Sequence, residues 1–307
     1  MIQVRRHTFL PVLALLASWS FGQTPFIRLV KAGPTEEVLQ TKARRYTARD
    51  GSGSAVWLVG AAHIGRESYY KELQKLLDEQ TTVLYEGVRR KGVDPAAPQP
   101  AGKEDSRQQT TYQVLSDTLG LQFQLYGINY DRPTFRNSDL TWEEMADLEA
   151  KHPGPKGGMG LASIGNLLNA GSDQGKQLAS MLSMLKDDPG SLEGLRVGLI
   201  EILAEPGIVD KALSPNLGEL LIKTRNARVV GDLKGEIAKP DQKSIAIFFG
   251  GGHMPDMEKH LTADFGYVPG EERWFTVMRG DTAKVSGQGQ MILSVMRAQI
   301  ATMKKGG

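Results

Sequence analysis

The chain has 307 residues and no cysteine, with 37 lysines and arginines against 35 acidic residues. That length is ample for one large α/β domain or two small ones, and the cysteine count excludes a disulfide framework, thiolate metal sites and a cysteine nucleophile. Both excess positive charges, Arg5 and Arg6, lie near the N-terminus, and no basic cluster with interleaved aromatics appears, so nucleic acid is not an expected partner.

Residues 1–22 carry the three parts of an export signal: Arg5, Arg6 and His7, then an apolar run from Phe9 to Ser18, then small residues at Ser20 and Gly22. The apolar run is far short of the roughly 20 residues a membrane span needs. The expectation is cleavage near Gly22 and a periplasmic or secreted mature chain, residues 23–307, that does not span the membrane.

After an edge strand around Ile27, Leu29 and Val30, a basic stretch leads into a hairpin closed at Asp50-Gly51. The run Val56-Trp57-Leu58-Val59 reads as a buried strand that stops at a turn on Gly60 and puts His63 just past its end. Tyr69, Tyr70, Leu73, Leu76 and Leu77 recur at intervals of three and four, which predicts an amphipathic helix over 66–80. A third short run, Val83-Leu84-Tyr85, ends at Glu86, so strand, helix and strand make a βαβ unit with His63 and Glu86 at one edge of the sheet.

Proline and charge then predict a solvated loop over 90–106, a short helix over 110–119, a strand over 122–128 and turn-rich chain over 129–137. Thr141 with Glu144 three residues on forms a capping box at a helix start. The glycine-rich stretch 153–175 reads as a loop or lid, with at most a short helix at 161–169. Helices are expected over 178–185, 192–203 and 216–237, so the middle of the chain, about 138–240, is a helical insertion. The run Ser244-Ile245-Ala246-Ile247-Phe248-Phe249 resumes the sheet and is followed by Gly250-Gly251-Gly252-His253. A helix over 257–265, a turn over 266–270, a strand over 273–278 and a helix over 292–303 complete the pattern.

The expected architecture is therefore α/β: a central, mostly parallel sheet flanked by helices, with a helical insertion between its two halves. Ligands of open α/β sheets bind beyond the carboxyl ends of the strands. His63, Glu86 and His253 converge there if the sheet gathers them. A glycine before each histidine permits close backbone approach, and a carboxylate ending an apolar strand is costly to bury unless paired or coordinating. Each has a plain structural alternative: a histidine bonded to a loop carbonyl, a Glu86 ion pair with Arg89 or Arg90, and an ion pair of Arg225 with Asp232. The three glycines before His253 also suit an anion cradle. Asp139, His152 and His260 are weaker candidates, and Ser68 lacks the surroundings of a serine nucleophile.

Gly60-x-x-His63, Glu86, Arg225-Asn226 in the long helix and Gly250-x-Gly252-His253 together resemble the TraB/PrgY/GumN family of the Tiki superfamily, over about 56–265. The resemblance implies a fold like the erythromycin esterase and ChaN group and a metal-dependent hydrolase using manganese or cobalt. Two neutral imidazoles and a carboxylate, His63, His253 and Glu86, are a common set for such a metal, with zinc also chemically suited. Glu86 alternatively acts as a general base, and Arg225 orients a substrate carboxylate or stabilises developing negative charge. The expected partner is a peptide or small-molecule substrate. Two alternatives stand beside it: an esterase-like hydrolase using His63 without metal, and a protein that binds a peptide or haem without turnover.

Overall fold

The computed structural model describes residues 25–96, 110–151, 169, 171–205 and 220–305. The expected export signal, His152 and most of the glycine-rich stretch, including all but the last residue of its expected short helix, lie outside them. The described strands are β1 (Ile27–Lys31), β2 (Glu36–Ala48), β3 (Ala55–Ala61), β4 (Ile64–Gly65), β5 (Thr82–Tyr85), β6 (Gln122–Phe123), β7 (Phe135–Asn137), β8 (Ser244–Gly250) and β9 (Tyr267–Asp281). The helices are α1 (Glu67–Asp78), α2 (Thr111–Leu119), α3 (Gln124–Gly127), α4 (Trp142–Lys151), α5 (Asp173–Ser183), α6 (Pro189–Leu203), α7 (Arg225–Ile237), α8 (Met254–Ala263) and α9 (Gly287–Lys305). None of the described helices is long and apolar enough to cross a membrane.

The centre of the sheet runs β3-β8-β5-β7 and is parallel throughout. Its antiparallel wing is built on β2, which pairs with β1, with β3 and, along almost its whole length, with β9. The α/β expectation of a mostly parallel central sheet between helices is met. The resumed strand, β8, lies between β3 and β5, so the ends of all three stand side by side.

Alternation along the central strands explains why they are buried on both faces. Trp57 and Val59 of β3, with Ala246 and Phe248 of β8, join a core with Leu73, Leu77, Leu195, Leu199 and Met296. Val56, Leu58, Ile245, Ile247 and Phe249 face the other way, onto Val229, Leu233, Met257 and Leu261 of α7 and α8. Each such aliphatic side chain contributes about 1.5–3 kcal/mol by leaving water. The helices of the expected insertion thus form part of the two layers over the sheet: Leu178, Leu182, Leu195 and Leu199 on one face, α7 on the other.

Several elements differ from the sequence expectation, each for a local reason. Gly60 is not a turn: it lies in β3 opposite Phe249, and a Cβ there would come within 3.2 Å of the backbone of Gly251 and Lys42. The glycine admits close packing of two chains. The strand expected over 122–128 ends after Phe123 and gives way to α3, where Gly127 seats against Tyr70. Phe135–Asn137, in chain expected to be turn-rich, pairs in parallel with β5. The turn expected over 266–270 shrinks to Gly266, with φ +69, because β9 starts at Tyr267 to follow β2. A π-helical turn, Leu220–Thr224, precedes α7, which begins at Arg225.

Thr141 and Glu144 close the expected capping box on α4: Glu144 N–H donates to Thr141 Oγ1 at 3.2 Å and Thr141 N–H to Glu144 Oε2 at 2.7 Å. Pro189 is the first residue of α6, with Asp188 accepting from Gly190 N–H at 3.0 Å.

Candidate functional site

Four neighbouring parallel strands each deliver one polar side chain just past the carboxyl end. In spatial order β3-β8-β5-β7, these are His63, His253, Glu86 and Asp139. The register keeps the ends level: Ala61 pairs with Gly250, and Tyr85 with both Phe248 and Asn137. The chain turns differently after each strand. Gly250 N–H donates to Glu86 Oε2 at 2.6 Å and Gly251 N–H to Ala61 O at 3.0 Å. Two of the amides that an anion cradle would need are therefore already committed within the protein, against that expectation.

Arg225, the first residue of α7, is the node of the cluster. Its Nη2 donates to Glu86 Oε1 at 2.7 Å and to Asp139 Oδ2 at 2.5 Å, its Nε donates to Asp139 Oδ1 at 2.8 Å, and its Nη1 lies 3.4 Å from His253 Nε2. The ion pair with Asp232 does not form; Ser138 donates to that carboxylate instead, at 2.6 Å. Nor does Glu86 pair with its neighbour Arg89, which donates to the carbonyls of Val93 and Asp94. Asp139 is fixed further by the N–H groups of Gly87, at 3.0 Å, and Leu140, at 2.7 Å.

These contacts set the charge states. Burial alone would raise the Glu86 pKa, but the Arg225 guanidinium, aided by His253, His63 and the Gly250 amide, holds it well below the usual carboxylate range. Burial disfavours the Arg225 charge, yet Asp139 and Glu86 outweigh it and the guanidinium is bound more firmly to its proton than a free one. His253 has no solvent exposure, and burial pushes its pKa down to about 4, with Glu86 opposing and Arg225 assisting. The imidazole is neutral near pH 7.

Both histidines are held through Nδ1 by a side-chain amide oxygen. His253 Nδ1 lies 2.6 Å from Asn226 Oδ1, and the Asn226 amide nitrogen donates to His253 O at 3.2 Å and Asp256 Oδ2 at 2.8 Å, which fixes its orientation. His63 Nδ1 lies 3.1 Å from Gln124 Oε1, while Gln124 Nε2 donates to Tyr130 Oη at 2.9 Å. An amide oxygen only accepts, so each Nδ1 carries hydrogen, and in the neutral ring that leaves the lone pair on Nε2. The turn before His63 is clamped by α1: Ala62 N–H donates to Tyr69 Oη at 3.0 Å and Tyr70 O–H donates to Ala62 O at 2.9 Å. Tyr112 packs its ring 5.2 Å from that of His63.

The chemistry of the donors suits a divalent transition metal: two imidazoles, each with Nδ1 turned to an amide oxygen, and a carboxylate that stays ionised. Glu86 Oε1 is 3.7 Å from His253 Nε2, and His63 is close enough to influence the ionisation of both. Among the described residues, however, no group of three histidine, cysteine, aspartate or glutamate side chains is gathered tightly enough to hold a metal ion. The guanidinium lies against both His253 and Glu86.

The structure thus brings His63, Glu86, Arg225 and His253 to one place. Asp139, weighed only lightly on sequence, belongs with them, as do Asn226, Gln124 and Tyr112. His260 pairs with Asp264 at 2.5 Å on the outer side of α8, and Ser68 is exposed on α1. Comparison of the chain with protein-family models, with curated proteins and with solved structures finds no match.

Proposed function

We propose that this protein is an exported hydrolase, of peptides or of a small molecule, whose site at the carboxyl edge of the sheet takes a divalent transition metal on His63, Glu86 and His253. The observation that carries the reading is the matched pair of amide tethers, Asn226 on His253 and Gln124 on His63, which leaves the Nε2 of each imidazole as the donor atom. Outer partners of this kind fix the ring orientation of metal-bound histidines. Manganese or cobalt is the expected ion, by the resemblance to TraB/PrgY/GumN proteins, which belongs to the same proposal; zinc is the next choice.

A bound ion of this class would polarise a scissile carbonyl and bring the pKa of its water toward neutrality. The chain's own residues divide the remaining work. Glu86, held ionised far below the usual range, is a poor proton acceptor and serves as a ligand or fixed anion in preference to a general base. Asp139 grips two nitrogens of Arg225 and anchors the guanidinium beside the site. From there it orients a substrate carboxylate or stabilises negative charge developing on the substrate oxygen.

A second reading dispenses with metal and is favoured by the contact of Arg225 Nη1 with His253 Nε2 at 3.4 Å. In it, partly exposed His63 takes the proton from water through Nε2, and Arg225 supplies the positive charge. Cleavage of a mixed peptide library by the mature protein, with and without chelator, separates the two. Loss of turnover with chelator and recovery on adding manganese or cobalt supports the first. Chelator-resistant turnover supports the second, and tight binding of a ligand without turnover removes both.

A further inference from the structure

We propose that Gln124 is the positioning residue of His63, the side chain that decides which ring nitrogen the histidine presents to the site. The inference rests on the reading of His63 as a working member of that site, and it deepens that reading.

Gln124 holds His63 at both ends. Its backbone N–H donates to the His63 carbonyl at 2.8 Å and its Oε1 faces His63 Nδ1 at 3.1 Å. The placement follows from local pairing: β6 runs antiparallel to β4, with Phe123 opposite Ile64, so the next residue falls beside His63. Gln124 is only 4 % exposed, and its Nε2 donates to Tyr130 Oη at 2.9 Å, which turns Oε1 toward the imidazole. The short helix that Gln124 opens is seated on α1, because a Cβ on Gly127 would come 2.4 Å from the Tyr70 ring. Tyr70 is the residue whose hydroxyl donates to the Ala62 carbonyl. The clamp on Ala62 and the grip on His63 therefore pack on each other as one unit.

A free neutral imidazole prefers its hydrogen on Nε2, whereas an acceptor at Nδ1 draws the hydrogen there and leaves Nε2 with the lone pair. An amide does this without adding charge to a cluster that already holds the carboxylates of Glu86 and Asp139. A leucine at position 124 fills the space but accepts nothing. A glutamate keeps the acceptor. A flipped Gln124 amide would impose the opposite tautomer.

The test is nitrogen NMR of the histidine rings in the mature protein labelled with 15N, at neutral pH, for wild type, Gln124→Leu, Gln124→Met and Gln124→Glu. His253, held by Asn226, is the control within each spectrum and reports that a variant is folded. The expected result is hydrogen on Nδ1 of His63 in wild type and Gln124→Glu, and a shift toward hydrogen on Nε2 in Gln124→Leu or, should that variant not fold, in Gln124→Met. Wild-type His63 with hydrogen on Nε2, or a tautomer that the substitutions leave unmoved, overturns the proposal. Titration of the same proteins with manganese chloride is the second reading, with affinity falling about 10–100-fold in Gln124→Leu and recovering in Gln124→Glu. If wild type binds no metal while the tautomer still moves, the positioning role stands and the metal reading alone is lost.

Discussion

Oε1 of Glu86 lies 3.7 Å from Nε2 of His253, and Nη2 of Arg225 is nearer to it still, at 2.7 Å. One carboxylate thus serves a guanidinium and faces an imidazole lone pair. Because both Glu86 and Asp139 lean on Arg225, the protein's own cation offsets one of the two negative charges. The arrangement makes the charge balance of the site testable without knowing the substrate.

Arg225→Met leaves Glu86 and Asp139 buried without their guanidinium. Breaking a buried ion pair from one side costs about 3–5 kcal/mol, and the urea midpoint at pH 7 should fall accordingly. Adding Glu86→Gln and Asp139→Asn to the same chain should recover part of the loss. A destabilisation below about 1 kcal/mol in the single variant would mean that water already screens the cluster.

His253 predicts a particular pH dependence. Its folded pKa, about 4, lies below the unfolded value of about 6.5, so the unfolded chain binds the extra proton between them. The stability this neutral imidazole contributes is whole above the unfolded value and is lost as pH falls toward the folded one, amounting to about 3 kcal/mol at 1.4 kcal/mol per unit. Glu86, shifted in the same direction from a lower starting value, gives way only below that window. Chemical denaturation of wild type and His253→Asn between pH 7 and 4.5 checks the sign: the wild-type slope should be the steeper, and equal slopes would contradict the assignment.

Gly60→Ala places a methyl group 3.2 Å from Gly251 Cα and from Lys42 O, both backbone atoms that cannot rotate away. The variant should lose about 1–3 kcal/mol, as overpacked sites do, seen as a lower thermal midpoint. The displaced Gly251 neighbours His253, so the His253 ring resonances should move as well. A variant with wild-type stability and an unshifted His253 spectrum would show that the loop gives way freely.

Asn226→Ala removes the acceptor from His253 Nδ1 and the donor to its carbonyl. On the metal reading, affinity for manganese or cobalt should drop about 10–100-fold in calorimetric titration. Unchanged affinity would place His253 outside the ligand set.

The sequence makes the long runs legible because a single face or a single period decides them: β3 and β8 are apolar on every side, and α1 carries its leucines and tyrosines at helical spacing. From these runs follow the positions of His63, Glu86 and His253. Phe135–Asn137 has three residues and starts two after Pro133, too little for a period, so β7 and the role of Asp139 just past its end stay hidden until β5 supplies the pairing. Gln124 is hidden for a different reason. Its place beside His63 depends on the two-residue pairing of β6 with β4, which leaves no pattern in the residues. For Arg225, the sequence offers Asp232 on the same helix as a partner, but tertiary packing brings Glu86 and Asp139 closer.

Calorimetric titration of the chelator-treated protein with manganese, cobalt and zinc, in wild type and in His63→Ala, decides whether the two histidines hold a metal. At least one of these ions should bind wild type saturably, and that binding should be lost in His63→Ala. No binding to wild type, or binding that His63→Ala leaves intact, would remove the metal from the site.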